Sequence, residues 1–378
     1  SLGHIYVRAI ADGKVKGKAR RLTKQKTHFE LNPSFSRDGK YVVYSTWNDE
    51  KLGAINIISA RGGKSRILTK EPGKYIEPSF SPDGKTVVFR KVEGGYITDP
   101  TWGLNPGIYT VSTKGTIAPK LVTASGLLPH FGAHNDSIYV LRNEDIPQFV
   151  KINIAPSSNE KHEQVIYQGK FATEYKVSPD GKYLAFAERF KVFVTPFIER
   201  GQVIDIGPKA KNLPVKQLSM RAGESINWNG KSNEIYWSLG PDLYQASVSG
   251  LFDITASNKG KNTKGDVAEK TQEEPLKTYL GYKGKTDKPT GRIAFVGGKV
   301  ITMEGEQVID NGIVLVEGNK IIAVAKQGQV ELPNDTKIID VKGKTVMPGL
   351  VDAHAHGPQG SNEIIPQQNW KNYAGLTL

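Results

Sequence analysis

The sequence predicts a mainly β protein in which a bladed propeller is followed by a second region of short strands. Three observations carry this. A nine-residue segment, Asn32-Pro33-Ser34-Phe35-Ser36-Arg37-Asp38-Gly39-Lys40, returns as Glu77-Pro78-Ser79-Phe80-Ser81-Pro82-Asp83-Gly84-Lys85 and as Glu174-Tyr175-Lys176-Val177-Ser178-Pro179-Asp180-Gly181-Lys182. With degenerate copies at Leu128-Pro129-His130-Phe131 and Ser225-Ile226-Asn227-Trp228, the repeats start 45 to 51 residues apart, within the range of propeller blades. Glycine (40 residues) and proline (21) are frequent enough to close many turns between short strands.

Taken in order, His4-Ile5-Tyr6-Val7-Arg8-Ala9 and Arg20-Arg21-Leu22-Thr23 read as the third and fourth strands of a blade. Its first two strands would precede Ser1, so the natural protein is expected to extend N-terminal of that residue. Each later repeat opens with a strand that ends in Ser-Pro-Asp-Gly or a variant of it. Proline sets φ at the second turn position, aspartate bonds the local backbone, and glycine supplies positive φ. Second strands follow at Tyr41-Val42-Val43-Tyr44, Thr86-Val87-Val88-Phe89 and Tyr183-Leu184-Ala185-Phe186. Third strands follow at Ala54–Ile58, Gly107–Val111 and Lys191–Val194, and fourth strands end near Ile67–Thr69 and Lys120–Thr123. Four antiparallel strands per repeat make a blade. The stretch from Gly94 to Pro106 is longer than a hairpin needs and reads as a surface insertion.

These repeats resemble the TolB-type propeller family, whose signature is the same Pro-x-Phe/Trp-Ser-Pro-Asp-Gly-Lys stretch. The resemblance implies a propeller over residues 1–250, about five blades plus part of an earlier one. Because relatives of this type are commonly exported, it also implies a periplasmic or secreted location.

Residues 251–290 read as a linker, because Ser257 to Pro289 is rich in Lys, Gly, Asn, Thr and Glu with almost no apolar period. From Gly291 the β pattern resumes, with short strands at Ile293–Val296, Lys299–Met303, Gly312–Glu317, Ile321–Ala325 and Lys337–Val341. Asp310-Asn311-Gly312 and Glu317-Gly318-Asn319 are expected to supply the turns between them. A last strand, from Thr345 through Met347-Pro348-Gly349-Leu350-Val351-Asp352-Ala353, ends in His354-Ala355-His356. Alternation would place His354 and His356 on one face, ~7 Å apart along the strand, so that both imidazoles can converge on one metal ion. Asp352 would share that face in a supporting role. A helix is expected from about Glu363 to Ala374.

The segment Pro348-Gly349-Leu350-Val351-Asp352-Ala353-His354-Ala355-His356 resembles the first barrel strand of the amidohydrolase superfamily, metal-dependent hydrolases on a TIM barrel. The strands before it resemble the β-sandwich that precedes that barrel. The resemblance covers roughly residues 291–378. It implies the β-sandwich over 291–346 and the first βα unit of the barrel over 347–378. It implies His354 and His356 as metal ligands, one or two divalent ions, most typically zinc, and further ligands and a proton shuttle from later strands.

A complete barrel takes ~250 residues, whereas 22 residues follow His356. A catalytic zinc site has three protein ligands as a rule. The remaining catalytic residues are therefore expected beyond Leu378, and the chain alone is expected to be inactive. The other five histidines, His4, His28, His130, His134 and His162, lie in the propeller section and read as turn or surface residues.

Composition closes off other classes. The net charge of +13 is spread over lysines in turns, such as Lys40, Lys85 and Lys182, with no basic helix or interleaved aromatics for nucleic acid. No apolar run approaches the ~20 residues of a membrane span. The chain has no cysteine. Gly-Lys-Thr occurs three times, but Ser79, Tyr279 and Ile338 stand where a phosphate-binding loop needs its first glycine. No Gly-x-Ser-x-Gly elbow is present.

The expected function is metal-dependent hydrolysis of a C–N bond in a small-molecule or peptide-like amide, with the propeller gating or recruiting substrate. Self-association into a homo-oligomer is compatible with it. The class-distinct alternative is a non-catalytic propeller that binds a partner, with a vestigial hydrolase segment.

Overall fold

A computed structural model describes residues 3–48, 50–92, 104–155, 162–252, 274–282 and 288–351. Every regular element among them is a strand. They fall into two compact units, residues 3–281 and 282–351.

The first unit opens with a hairpin of β1 (Tyr6–Ala11) and β2 (Lys14–Arg21). Five blades follow. Blade 1 is β3 (Phe29–Phe35), β4 (Tyr41–Trp47), β5 (Ala54–Ser59) and β6 (Arg66–Ile67). Blade 2 is β7 (Tyr75–Phe80), β8 (Thr86–Lys91), β9 (Gly107–Ser112) and β10 (Lys120–Thr123). Blade 3 is β11 (Leu127–Phe131), β12 (Ser137–Arg142), β13 (Gln148–Asn153) and β14 (Glu163–Gln168). Blade 4 begins with β15 (Ala172–Val177), β16 (Tyr183–Glu188) and β17 (Lys191–Pro196). The chain then detours through β18 (Ile204–Asp205), which adds to blade 3 parallel to β14, before β19 (Lys216–Gln217) completes blade 4. Blade 5 is β20 (Glu224–Trp228), β21 (Glu234–Leu239), β22 (Asp242–Ser247) and β23 (Leu276–Tyr279). Strand β23 corrects the expected linker. Four residues of the 251–290 stretch pair with β22, and their two large hydrophobic side chains, Leu276 and Tyr279, are exposed, so no apolar period marks them.

The turn chemistry repeats atom for atom. Ser36, Ser81 and Ser178 each donate a hydroxyl to the aspartate two residues on, at 2.6, 2.7 and 2.6 Å. The same aspartates accept the amides of Lys40, Lys85 and Lys182 at 3.1, 3.0 and 3.1 Å. Between them Gly39, Gly84 and Gly181 take φ of 69°, 69° and 73°, a region that side chains with a Cβ enter only with strain.

One apolar cluster fills each seam between successive blades. Val43, Ile55 and Leu68 of blade 1 meet Tyr75, Val87 and Phe89 of blade 2. Val88 and Ile108 meet Phe131, Val140 and Val150 of blade 3. Tyr139, Phe149 and Tyr167 meet Tyr175, Phe186 and Phe193 of blade 4. Ala185, Val192 and Val194 meet Ile226, Ile235 and Trp237 of blade 5. The hairpin contributes Ile5 and Leu22 against Val42, Tyr44 and Ile58 of blade 1.

Polar bonds add to the closure of the ring. The buried Glu30 carboxylate of blade 1 accepts the Ile5 amide at 2.9 Å. On the other side, the Thr278 hydroxyl of blade 5 donates to the Gly13 carbonyl at 2.6 Å. Phe35 shares its repeat position with Phe80 and Phe131, which are 6% exposed, but is itself 57% exposed.

In the second unit, β24 (Arg292–Ile301) pairs antiparallel with β25 (Val308–Glu317), which pairs with β26 (Lys320–Lys326). The short β27 (Thr336–Asp340) and β28 (Thr345–Val346) lie parallel to the first and last parts of β24. Hydrogen bonding thus joins five strands in one mixed sheet.

Three expectations change here. Ile293–Val296 and Lys299–Met303 are one strand, because Gly297-Gly298 forms a bulge and does not break it. Asn311, expected in a turn, lies inside β25 at φ 50° opposite that bulge. Regular pairing ends at Val346, and Met347–Val351 form no strand, with Leu350 89% and Val351 92% exposed. Pro348 has no N–H to offer a ladder.

Candidate functional site

The predicted metal ligands His354 and His356, with Asp352, lie outside the described residues, as do the expected helix and most of the long blade 2 loop. Among the described residues, no group of three or more His, Asp or Glu side chains is arranged to hold a metal ion. The site that the described residues do build is the propeller's central channel.

The channel is lined by the first strand of every blade and the turn that follows it. Its mouth is a cavity of about 280 Å³ bounded by Phe35 and Arg37 of blade 1, Phe80 of blade 2, His130 and Phe131 of blade 3, Lys176 of blade 4, and Asn227 and Trp228 of blade 5. A bulge interrupts each first strand just before these residues. In four of the five strands the bulge carries a non-glycine residue at positive φ: Asn32 (47°), Glu77 (55°), Leu128 (51°) and Ser225 (58°). The bulge re-aims the side chains that follow it toward the axis. Sequence inspection missed it because four different residue types occupy the one position.

Charged groups converge deeper in the channel. The Glu77 carboxylate accepts the Leu128 amide of the next blade at 2.8 Å and lies 3.4 Å from the Arg90 guanidinium. The Glu174 carboxylate accepts the Ile226 amide of the next blade at 2.9 Å. Burial raises the pKa of both, Glu174 to about 7, against the opposing pull of Lys176. Burial lowers the pKa of the Lys176 ammonium, and Glu174 and Glu77 pull it back up. Among the described residues this ammonium makes no direct ion pair. The Lys176 carbonyl is fixed by the Trp228 indole N–H at 3.0 Å.

His130 departs from its expected role as a turn or surface residue. It is 2% exposed, and its Nε2 accepts the Val177 amide at 3.2 Å. Nδ1 must then carry the proton, which it donates to the Leu128 carbonyl at 3.0 Å. Burial, with Lys176 nearby, holds its pKa well below the ordinary value. His130 is therefore a neutral brace between blades 3 and 4, with both ring nitrogens committed.

A larger groove of about 820 Å³ runs along the outer part of blade 1, between Thr27, Asn48, Lys51, Lys70 and Glu71. Its charged walls do not converge on one point.

No family model matches the chain. A 5-methylthioadenosine/S-adenosylhomocysteine deaminase of Bacillus cereus is 44% identical over 69 residues, 17% of this chain and 15% of that protein. An imidazolonepropionase of Alkaliphilus metalliredigens is 36% identical over 80 residues, 20% of this chain and 19% of that protein. The chain thus spans less than a fifth of the length of these relatives. Among solved structures, TolB from Acinetobacter baumannii is similar at a TM-score of 0.45 and 20% identity, over 62% of this chain and 55% of that one.

Proposed function

We propose that this chain is part of a metal-dependent hydrolase of the amidohydrolase type that breaks a C–N bond in an amide or cyclic amide, with the propeller recruiting or gating substrate. The observation that carries this reading is the local similarity to a deaminase, 44% over 69 residues, in a chain that also contains Pro348-Gly349-Leu350-Val351-Asp352-Ala353-His354-Ala355-His356. Two imidazoles at alternate positions of the sequence suit a divalent ion such as zinc. The reading assigns His354 and His356 as ligands and leaves the remaining ligands unassigned.

Metal content tests it. The full-length protein, purified without chelators, is expected to hold one or two divalent ions per chain. His354→Ala and His356→Ala should each lose that metal together with amidase activity. A full-length protein that binds no divalent ion even when supplied with zinc would sink the reading.

A second reading, in which the propeller binds a ligand without catalysis, is favoured by the cavity at the channel mouth. It predicts ligand binding that survives the loss of both histidines.

A further inference from the structure

We propose that the mouth of the propeller channel is a binding site for a carboxylate carried on an apolar or aromatic body, with Lys176 and Arg37 taking the charge and Trp228 and Phe35 the body. This does not depend on the hydrolase reading.

The first argument is charge. Three cations, Arg37, Arg90 and Lys176, and two carboxylates, Glu77 and Glu174, converge on the channel. Cations outnumber carboxylates, so the channel is net positive, which suits an anion. The pairing is also uneven. Arg90 sits directly on Glu77, and the Arg37 guanidinium donates to the Gly132 carbonyl across the channel. Lys176 has only the longer-range pull of the two carboxylates, although burial already disfavours its charged form. An ammonium held away from bulk water without a direct counter-ion is costly unless something supplies one.

The second argument is shape. The cavity of about 280 Å³ holds a group the size of an amino-acid side chain, not a folded partner. Its wall offers an exposed Phe35 and the Trp228 ring, which Tyr183 holds in place by stacking at 6.1 Å between centroids. Such rings take up an apolar body while the ammonium fixes its charged end.

The third argument is rigidity. Trp228 is bonded to the Lys176 backbone, and His130 to the Val177 backbone, so that the charged and aromatic walls are held together across three blades. A preorganised wall loses little entropy on binding.

The test is isothermal titration calorimetry of the chain with N-acetylphenylalanine and with its neutral amide. The acid is expected to bind saturably, and the amide at least ~10-fold more weakly. Lys176→Met should weaken the acid by at least ~10-fold. Arg37→Gln, at the rim, keeps the test informative if the deeper substitution unfolds the propeller, and should weaken the acid by a smaller factor. Inorganic phosphate, titrated alone, is expected to bind more weakly than the acid. Equal binding of acid and amide, no saturable binding of the acid up to about 10 mM, or full affinity in both variants would overturn the proposal. Phosphate binding as tightly as the acid would overturn the role given to Trp228 and Phe35.

Discussion

The Glu174 carboxylate accepts the Ile226 amide, one blade further round the ring, at 2.9 Å. Glu77 and Leu128 repeat the arrangement at 2.8 Å. Each carboxylate thus crosses a seam between blades from the channel side.

This clasp makes stability depend on pH. Burial raises the pKa of Glu174 from 4.5 to about 7, against Lys176 and the Ile226 and Ser225 amides, with Glu224 adding to the rise. Because the folded value lies above the unfolded one, the contribution is complete below pH 4.5 and is lost as pH rises through about 7. Urea midpoints should therefore show Glu174→Gln, which keeps an acceptor oxygen, gaining on the wild type by on the order of 2 kcal/mol across that window. Parallel pH profiles for the two proteins would show that this carboxylate is not titrating there.

The turn aspartates act in the opposite direction. The Ser36 hydroxyl and the Lys40 amide hold the Asp38 carboxyl down at about 2, and the Lys85 amide with the Ser81 hydroxyl lowers Asp83. Their contribution is present above the ordinary carboxylate range and disappears as pH falls toward 2. A carbon-detected NMR titration should place the Asp38 midpoint near 2, and Ser36→Ala should move it upward.

Gly84 and Gly181 share a conformation but not surroundings. A Cβ on Gly84 would meet nothing within 4 Å, whereas one on Gly181 would lie 3.1 Å from the Ala133 side chain of blade 3. Thermal unfolding should show Gly84→Ala costing ~1 kcal/mol through backbone strain alone. Gly181→Ala should cost ~2 kcal/mol, because Ala133 must also yield.

His130→Phe fills the volume but leaves the Val177 amide and the Leu128 carbonyl without their partner. A loss of ~2–4 kcal/mol in urea denaturation is expected. The wild-type ring, neutral and fully bonded, should also stay uncharged well below pH 6.5 by NMR.

Much of the propeller was legible because its turns are chemically exacting. Ser-x-Asp-Gly supplies the hydroxyl and carboxylate that hold the next backbone amide, with a glycine at positive φ, so the repeat announces itself. The bulges were not legible, since Asn32, Glu77, Leu128 and Ser225 share a backbone conformation and no side-chain chemistry. Strand β23 was hidden for a different reason. Its pairing with β22 is made by backbone atoms, which leave no trace in composition. The channel charges were visible as residues, but Glu77 and Glu174 look like ordinary surface acids until the bulge turns them inward. The histidine pair was read from its spacing together with the Pro-Gly-flanked apolar run and the family resemblance that carry it, and it lies outside the described residues.

The bond between Thr278 and Gly13 joins residues 265 positions apart. Each of blades 2 to 5 can dock on the neighbour that precedes it in sequence, so assembly proceeds stepwise with short loops to close. The joint between blade 5 and the opening hairpin must wait for the whole ring, and its loop-closure entropy is the largest in the propeller. Refolding should therefore end with a slow phase confined to that joint. In the native protein the same joint should be the first to part, and hydrogen exchange should be fastest at β1, β2 and β23.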